Sequence, residues 1–254
     1  MSSVADIKVM TIDQGNSSAK AVVWHAGAPV ASVRLFELSI EGLLPLLEEH
    51  EIDGCVYCNV GHPDAKFLET LRRLVDGSLV VLTHSTPLPI SVEYASRSTL
   101  GNDRVAAAAG AASLFPGEGV LVVDAGTAVT VDILDPSPAF RGGNIAPGMA
   151  LRFNSLHDYT SRLPLVDPDG PVPDFGYDTV TAIRSGVVGG MVSEIADAFV
   201  KAREEFNCSR IALTGNDADV LFPLLKGRRL PVSRHQNLVG LGLLSIYLFN
   251  EISN

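Results

Sequence analysis

Two short stretches carry the residue types that grip phosphate. Asp13-Gln14-Gly15-Asn16-Ser17-Ser18-Ala19-Lys20 follows the apolar run Val9–Ile12, and Asp124-Ala125-Gly126-Thr127-Ala128 follows Val120–Val123. Each is an Asp-x-Gly-[Asn/Thr] turn at a strand end, and each leads into a second run of strand formers, Ala21–Trp24 and Val129–Leu134. A hairpin of this kind brings backbone N–H groups close to an anion, because glycine has no side chain to hold the ligand off. Hydroxyls and amides add donors, and the aspartate can hold a divalent ion directly or through water. One such turn is routine turn chemistry. Two at strand ends, about half a chain apart, point to a pair of matching halves built around phosphate.

The elements that must position these turns follow from periodicity. In the first half, Pro29–Leu38 reads as a third strand, Ile40–His50 as a Leu-rich helix and Asp53–Asn59 as a buried strand ending at Val60-Gly61-His62-Pro63. Asp64–Val75 is a helix and Ser78–Leu82 a strand, giving the order βββαβαβ. Leu88–Leu100 has no clear period and leads to Gly101-Asn102-Asp103-Arg104, then an alanine-rich helix through Leu114. Asp103 at that helix start reads either as a cap favoured by the helix dipole or as a chemical group, and spacing does not separate the two.

Pro116-Gly117-Glu118-Gly119 marks the break between halves, predicting domains 1–116 and 117–254. After the second hairpin, Phe140–Gly148 is a glycine-rich strand end leading into a helix over Met149–Leu163. Residues 165–177 hold three prolines and form a loop; Asp178-Thr179 then opens a long helix through Glu205. Gly186, Gly189 and Gly190 inside it predict close packing on that face. Arg210–Leu213 is a short strand, Asp219–Leu225 a helix, Arg229–Val232 a strand and Asn237–Phe249 an apolar closing helix of the second half. The pattern is that of a duplicated α/β domain with nucleotide in the cleft between copies.

Composition excludes several classes. At 46% hydrophobic and 19% charged residues the chain is globular, and its net charge of −10 with no Lys/Arg stripe removes the electrostatic footprint of nucleic-acid binding. An acidic protein that binds anions must supply local positive charge, for which Lys20, Arg104 and metal ions are available. Three cysteines suit a reducing compartment. Cys55 and Cys58 sit three apart in one strand, on opposite faces, and read as buried small residues rather than a redox or metal pair. The six histidines are scattered and read as surface or packing residues. Met1–Asp6 has no basic region or long apolar run and no segment reaches the length of a membrane span, so the expectation is a cytoplasmic protein with no membrane association. There is no P-loop, no G-x-G-x-x-G after the first strand and no H-E-x-x-H.

In order and spacing, Asp13–Lys20, Tyr94, Leu100–Arg104, Asp124–Ala128 with Asp132, Gly142–Gly148, Leu163-Pro164 and Asp178-Thr179 with Ile183 and Gly186 resemble the type III pantothenate kinases. The resemblance implies a duplicated actin-like fold, the ribonuclease H-like domains of the acetate and sugar kinase, Hsp70 and actin superfamily. It implies ATP-dependent phosphorylation of pantothenate at the start of coenzyme A synthesis, a homodimer, and a need for Mg²⁺ and a monovalent cation, K⁺ or NH₄⁺. Carried over, the first phosphate loop that binds ATP is Asp13, Gln14, Gly15, Asn16, Ser17, Ser18, Ala19 and Lys20, and Thr127 is a further ATP contact. Tyr94, Gly101, Asn102, Asp103, Arg104 and Thr179 contact pantothenate, Asp103 as proton acceptor, and Asp124 is the monovalent-cation ligand. Thr214-Gly215-Asn216 stands where the family has Thr-Gly-Gly, and Ala95-Ser96-Arg97 where it more often has Thr-Pro. The other classes left open are a sugar kinase or phosphohydrolase of the same superfamily and a non-catalytic, nucleotide-switched regulator.

Overall fold

The computed structural model describes residues 7–61 and 64–253, so Met1–Asp6 and the predicted strand end at His62-Pro63 lie outside the described residues. Up to Leu114 the elements are β1 (Lys8–Gln14), β2 (Ala19–His25), β3 (Ala28–Leu35), α1 (Ile40–Glu49), β4 (Gly54–Asn59), α2 (Ala65–Leu74), β5 (Ser78–Val81), β6 (Ser91–Val92) and α3 (Asn102–Leu114). Then come β7 (Gly119–Ala125), β8 (Ala128–Leu134), β9 (Ala139–Pro147), α4 (Met149–Asp158), α5 (Thr179–Arg184), α6 (Gly190–Phe206), β10 (Cys208–Thr214), α7 (Ala218–Gly227), β11 (Val232–Arg234) and α8 (Leu238–Ser253). The chain forms two compact units, one reaching Leu114 and taking in the segment from Asn237 onward, the other Phe115–Gln236.

In the first unit the sheet runs β3-β2-β1-β4-β5, with the β1–β2 and β2–β3 pairs antiparallel and the β1–β4 and β4–β5 pairs parallel. Alternation sends Met10, Ile12, Ala21, Val23, Cys55 and Tyr57 to one face, where they form a core with Leu43 and Leu46 of α1 and Leu71 of α2. The opposite face carries Thr11 and Trp24, whose indole N–H donates to the Thr11 hydroxyl at 2.9 Å, and it meets α8 at Gly240. Helices α3 and α8 pack on each other backbone to backbone: a Cβ on Gly242 would overlap the Ala106 carbonyl, and one on Gly110 the Leu238 carbonyl.

That contact corrects the predicted domain division, which ran the second half to residue 254. The alanine and glycine surface of α3 opens a groove that only a close-approaching helix fills, and α8 fills it.

The second unit repeats the same plan. Its strands run β11-β10-β7-β8-β9, with β7–β8 and β8–β9 antiparallel and β7–β10 and β10–β11 parallel. The core joins Leu121, Val123 and Val129 of the sheet to Met149 and Phe153 of α4, Met191, Ile195 and Phe199 of α6, and Leu221 and Leu225 of α7.

Three local expectations change here. The helix from Met149 stops at Asp158 rather than Leu163, because the chain folds back and the Leu163 N–H and carbonyl meet the side chains of Thr160 and His157. The glycines of the long helix are not pressed by neighbours: no atom lies within 4 Å of a Cβ built on Gly186 or Gly190, and Gly186 and Gly189 belong to a π-helical turn, Ser185–Gly189. The last strand is Val232–Arg234 because Arg229, at φ 60°, turns the chain out of α7.

Candidate active site

The first hairpin closes through the Gly15 N–H donating to the Ser18 carbonyl at 3.0 Å, with Gly15, Asn16 and Ser17 exposed beyond the ends of β1 and β2. Gly15 has neither a positive φ nor a crowded environment: the nearest atom to a Cβ built on it is the Ser18 carbonyl oxygen at 3.5 Å. The fold would accept alanine there, so the open space beside the backbone suits a ligand rather than the chain's own packing. Asp13 and Lys20 are cross-strand partners, both partly buried on the Thr11–Trp24 face. Burial and then Arg34 push the Lys20 ammonium below its ordinary pKa, and Asp13 opposes them.

Gln14 points to the other face. Its side-chain carbonyl accepts a short hydrogen bond from the buried Tyr57 hydroxyl, while its backbone carbonyl takes the Val60 N–H at 3.3 Å. The side chain of Gln14 therefore ties the hairpin down, and its place in the phosphate loop is as backbone. Tyr57 is not legible as a site residue from its place in the sequence, since only the β1–β4 register brings it under Gln14.

Asp103 and Asp13 share a neighbour. Cys58 is the β4 residue opposite Asp13, fully buried, and after burial itself the two carboxylates of Asp13 and Asp103 are what raise its thiol pKa. Asp103 lies in the first turn of α3, where one of its oxygens accepts the Arg104 N–H at 2.9 Å. As an acid of the first turn that takes a backbone N–H, it keeps the dipole-favoured place that the helix start predicts. Asn102 donates from its side-chain amide to the Leu82 carbonyl at 3.0 Å, which pins the loop onto the chain after β5. Arg104 is 5% exposed, and its guanidinium lies over the Tyr94 ring at 5.8 Å from its centroid, bringing two of the predicted substrate contacts together. Gly101 leaves room for the acid, because a Cβ there would overlap the Asp103 carboxylate.

The second hairpin is held by packing. The Gly126 N–H donates to the Ala128 carbonyl at 3.0 Å, and a Cβ on Gly126 would meet nothing closer than 3.6 Å, as in the first hairpin. Around it the chain is tight. The Gly148 N–H donates to the Thr127 carbonyl at 3.0 Å, and a Cβ on Gly148 would come within 2.5 Å of that oxygen. Gly215, at φ +94°, presses on Ala125, and the Asp217 N–H donates to the Ala125 carbonyl at 2.9 Å. Asp124 is partly buried at the end of β7, opposite Thr214, and Thr127 is exposed at the tip. Asp217, half-buried with its pKa raised by that burial, accepts the first N–H of α4 from Met149 at 3.3 Å. Nothing in the sequence distinguishes that side chain, because Asp217 reads there as one more turn residue.

Thr179 is the exposed first residue of α5, and the cap of that helix is Asp178, which trades hydrogen bonds with Thr181. Among the described residues no group of three or more His, Cys, Asp or Glu could hold a metal on its own. A cation at either hairpin would therefore complete its shell with water and ligand oxygens, which suits Mg²⁺ and K⁺ and a single carboxylate such as Asp13 or Asp124.

Comparison with known proteins gives the family and the fold. The family model described as type III pantothenate kinase matches residues 9–201. A type III pantothenate kinase from Porphyromonas gingivalis strain W83 is 37% identical over 244 residues, covering 95% of this chain and 98% of its own. A Campylobacter jejuni protein assigned to the Baf family of transcriptional activators has TM-score 0.65 at 22% identity, over 96% of this chain and 99% of that one. The activator of 2-hydroxyisocaproyl-CoA dehydratase from Clostridium difficile, with bound ADPNP, has TM-score 0.51 at 14% identity, over 97% and 96%. These two likenesses are of fold, and the fold is the duplicated actin-like one. The matched family spans both hairpins, the Gly101–Arg104 loop and the Thr179 helix, and the chain belongs to the type III pantothenate kinases.

Proposed function

We propose that the protein transfers the γ-phosphoryl group of ATP to the primary hydroxyl of pantothenate, giving 4′-phosphopantothenate, the first step of coenzyme A biosynthesis. The observation that supports this reading is that Cys58, opposite Asp13 in the sheet, feels the carboxylates of both Asp13 and Asp103, so the two acids belong to one neighbourhood of the first unit. Phosphoryl transfer needs little covalent work from a protein, so positioning and charge neutralisation carry it. Asp103 accepts the hydroxyl proton late in the transfer. Arg104, stacked on Tyr94, offers a guanidinium fork to the pantothenate carboxylate, and Gly101 and Asn102 shape the loop around the substrate. Thr179 is a further substrate contact.

The Gly15 and Gly126 backbones admit phosphate oxygens, Lys20 offsets their charge and Thr127 adds an ATP contact. Mg²⁺ beside Asp13 and K⁺ or NH₄⁺ beside Asp124 would supply further neutralisation of the phosphates when bound. The large apolar side chains exposed between Tyr159 and Val180, Tyr159 at 88%, Phe175 at 90% and Tyr177 at 73%, support a homodimer formed by this part of the second unit, which light scattering would detect. Three free, buried thiols suit the cytoplasm, and no helix among the described residues is long and apolar enough to cross a membrane.

The test is ATP consumption with Mg²⁺ and K⁺, comparing pantothenate with a panel of sugars. Turnover with pantothenate alone is expected. A sugar preferred over pantothenate, or no turnover with any alcohol, would overturn the assignment.

A further inference from the structure

Three adjacent strands carry charge at one level of the first unit's sheet. Asp13 on β1 lies opposite Lys20 on β2, and Lys20 lies opposite Arg34 on β3. Residues directly opposite in antiparallel strands share a face, with Cβ atoms about 4.5–5.5 Å apart. The row therefore continues from Asp103 past Cys58 and Asp13 to Lys20 and Arg34, acidic at the substrate-loop end and basic at the other. Two like charges placed directly opposite each other are destabilising.

An exposed cation on an edge strand commonly serves to keep other chains from pairing with it. Such a guard can stand anywhere along the edge, yet in β3, Ala-Pro-Val-Ala-Ser-Val-Arg-Leu, the only charge stands at the level of Asp13 and Lys20, beside the mouth of the hairpin. Within the hairpin, Asp13 and Lys20 cancel. In a chain of net charge −10, Arg34 adds positive charge at the level of that pair.

We propose that Arg34 is a third phosphate-binding residue of the nucleotide site, its guanidinium fork holding the oxygens of the terminal phosphates of ATP beside Lys20. The proposal rests on the kinase reading above and adds a residue to its ATP site. An anion held between the two cations offsets the repulsion between them.

Arg34→Gln and Arg34→Lys, titrated calorimetrically with MgATP, MgADP and AMP beside steady-state kinetics, test it. For Arg34→Gln the dissociation constant for ATP is expected to rise about tenfold and that for ADP also to rise, with AMP binding and the KM for pantothenate unchanged. Arg34→Lys is expected to recover part of the loss. The rise in melting temperature on adding ATP should be smaller than in the unaltered protein. Unaltered discrimination between ATP and AMP in Arg34→Gln would overturn the proposal, as would a lowered melting temperature with equal weakening of all three nucleotides. If the unaltered protein binds ATP without phosphorylating pantothenate, the kinase reading falls while the titrations still decide the role of Arg34.

Discussion

The two hairpins are built to one plan and held by different means. Both end an apolar strand in Asp-x-Gly, both glycines face open space, and both sheets run in the same order, β3-β2-β1-β4-β5 and β9-β8-β7-β10-β11. The first is flanked by ionisable side chains, Asp13, Lys20 and Arg34 on one face and the Tyr57–Gln14 link on the other. The second is clamped by backbone, with Gly148 and Gly215 pressed against it and Asp217 bonded to its strand. Charge near the reacting groups is thus concentrated in the first unit, and shape in the second. The same Asp-x-Gly turn thus occurs in both units with different surroundings.

Breaking the first side hardest means removing the acid. Asp103→Asn is expected to lower kcat about 10²–10⁴-fold while ATP and pantothenate still bind, measured by steady-state turnover and calorimetry. Retained turnover would remove Asp103 from the chemistry.

The glycines sharpen the contrast. Gly15→Ala meets no steric obstacle in the protein, so its melting temperature should hold while the KM for ATP rises about tenfold. Gly148→Ala overlaps the Thr127 carbonyl and should cost roughly 1–3 kcal/mol of stability, read as a lower melting temperature. If both variants lost stability alike, the open and clamped descriptions would be wrong.

Asp124→Ala should flatten the activation by K⁺ with less effect on the KM for pantothenate, and an unchanged K⁺ titration would count against its role. The smallest effect belongs to Lys20. Its ammonium is held below the ordinary lysine range by burial and by Arg34, and it loses its positive charge as pH rises through that lowered value. The kcat/KM for ATP should therefore fall on the alkaline side earlier than an ordinary lysine would allow. Lys20→Arg should remove that fall, since guanidinium does not titrate there.

Much of this plan was legible from residue order. The βββαβαβ run of the first unit, both Asp-x-Gly turns and the Gly101–Arg104 helix start stand where the apolar periods and turn residues place them. What escaped depends on contacts between distant segments. α8 is apolar on more than one face, so its pattern does not say which sheet it joins; the fit of Gly242 against Ala106 does. Tyr57 and Arg34 acquire meaning only from strand register, which sets a core phenol under Gln14 and an edge arginine beside Lys20. The glycines at 186 and 189 pointed to close packing but belong to a π turn, because glycine spacing alone does not distinguish a contact from a change of helix pitch.

The most direct test of the account is the product balance: ADP and 4′-phosphopantothenate measured over one time course with ATP, pantothenate, Mg²⁺ and K⁺. The account predicts that the two products accumulate in equal amounts and only when pantothenate is present. ADP released at the same rate without pantothenate, with no phosphorylated pantothenate formed, would contradict it.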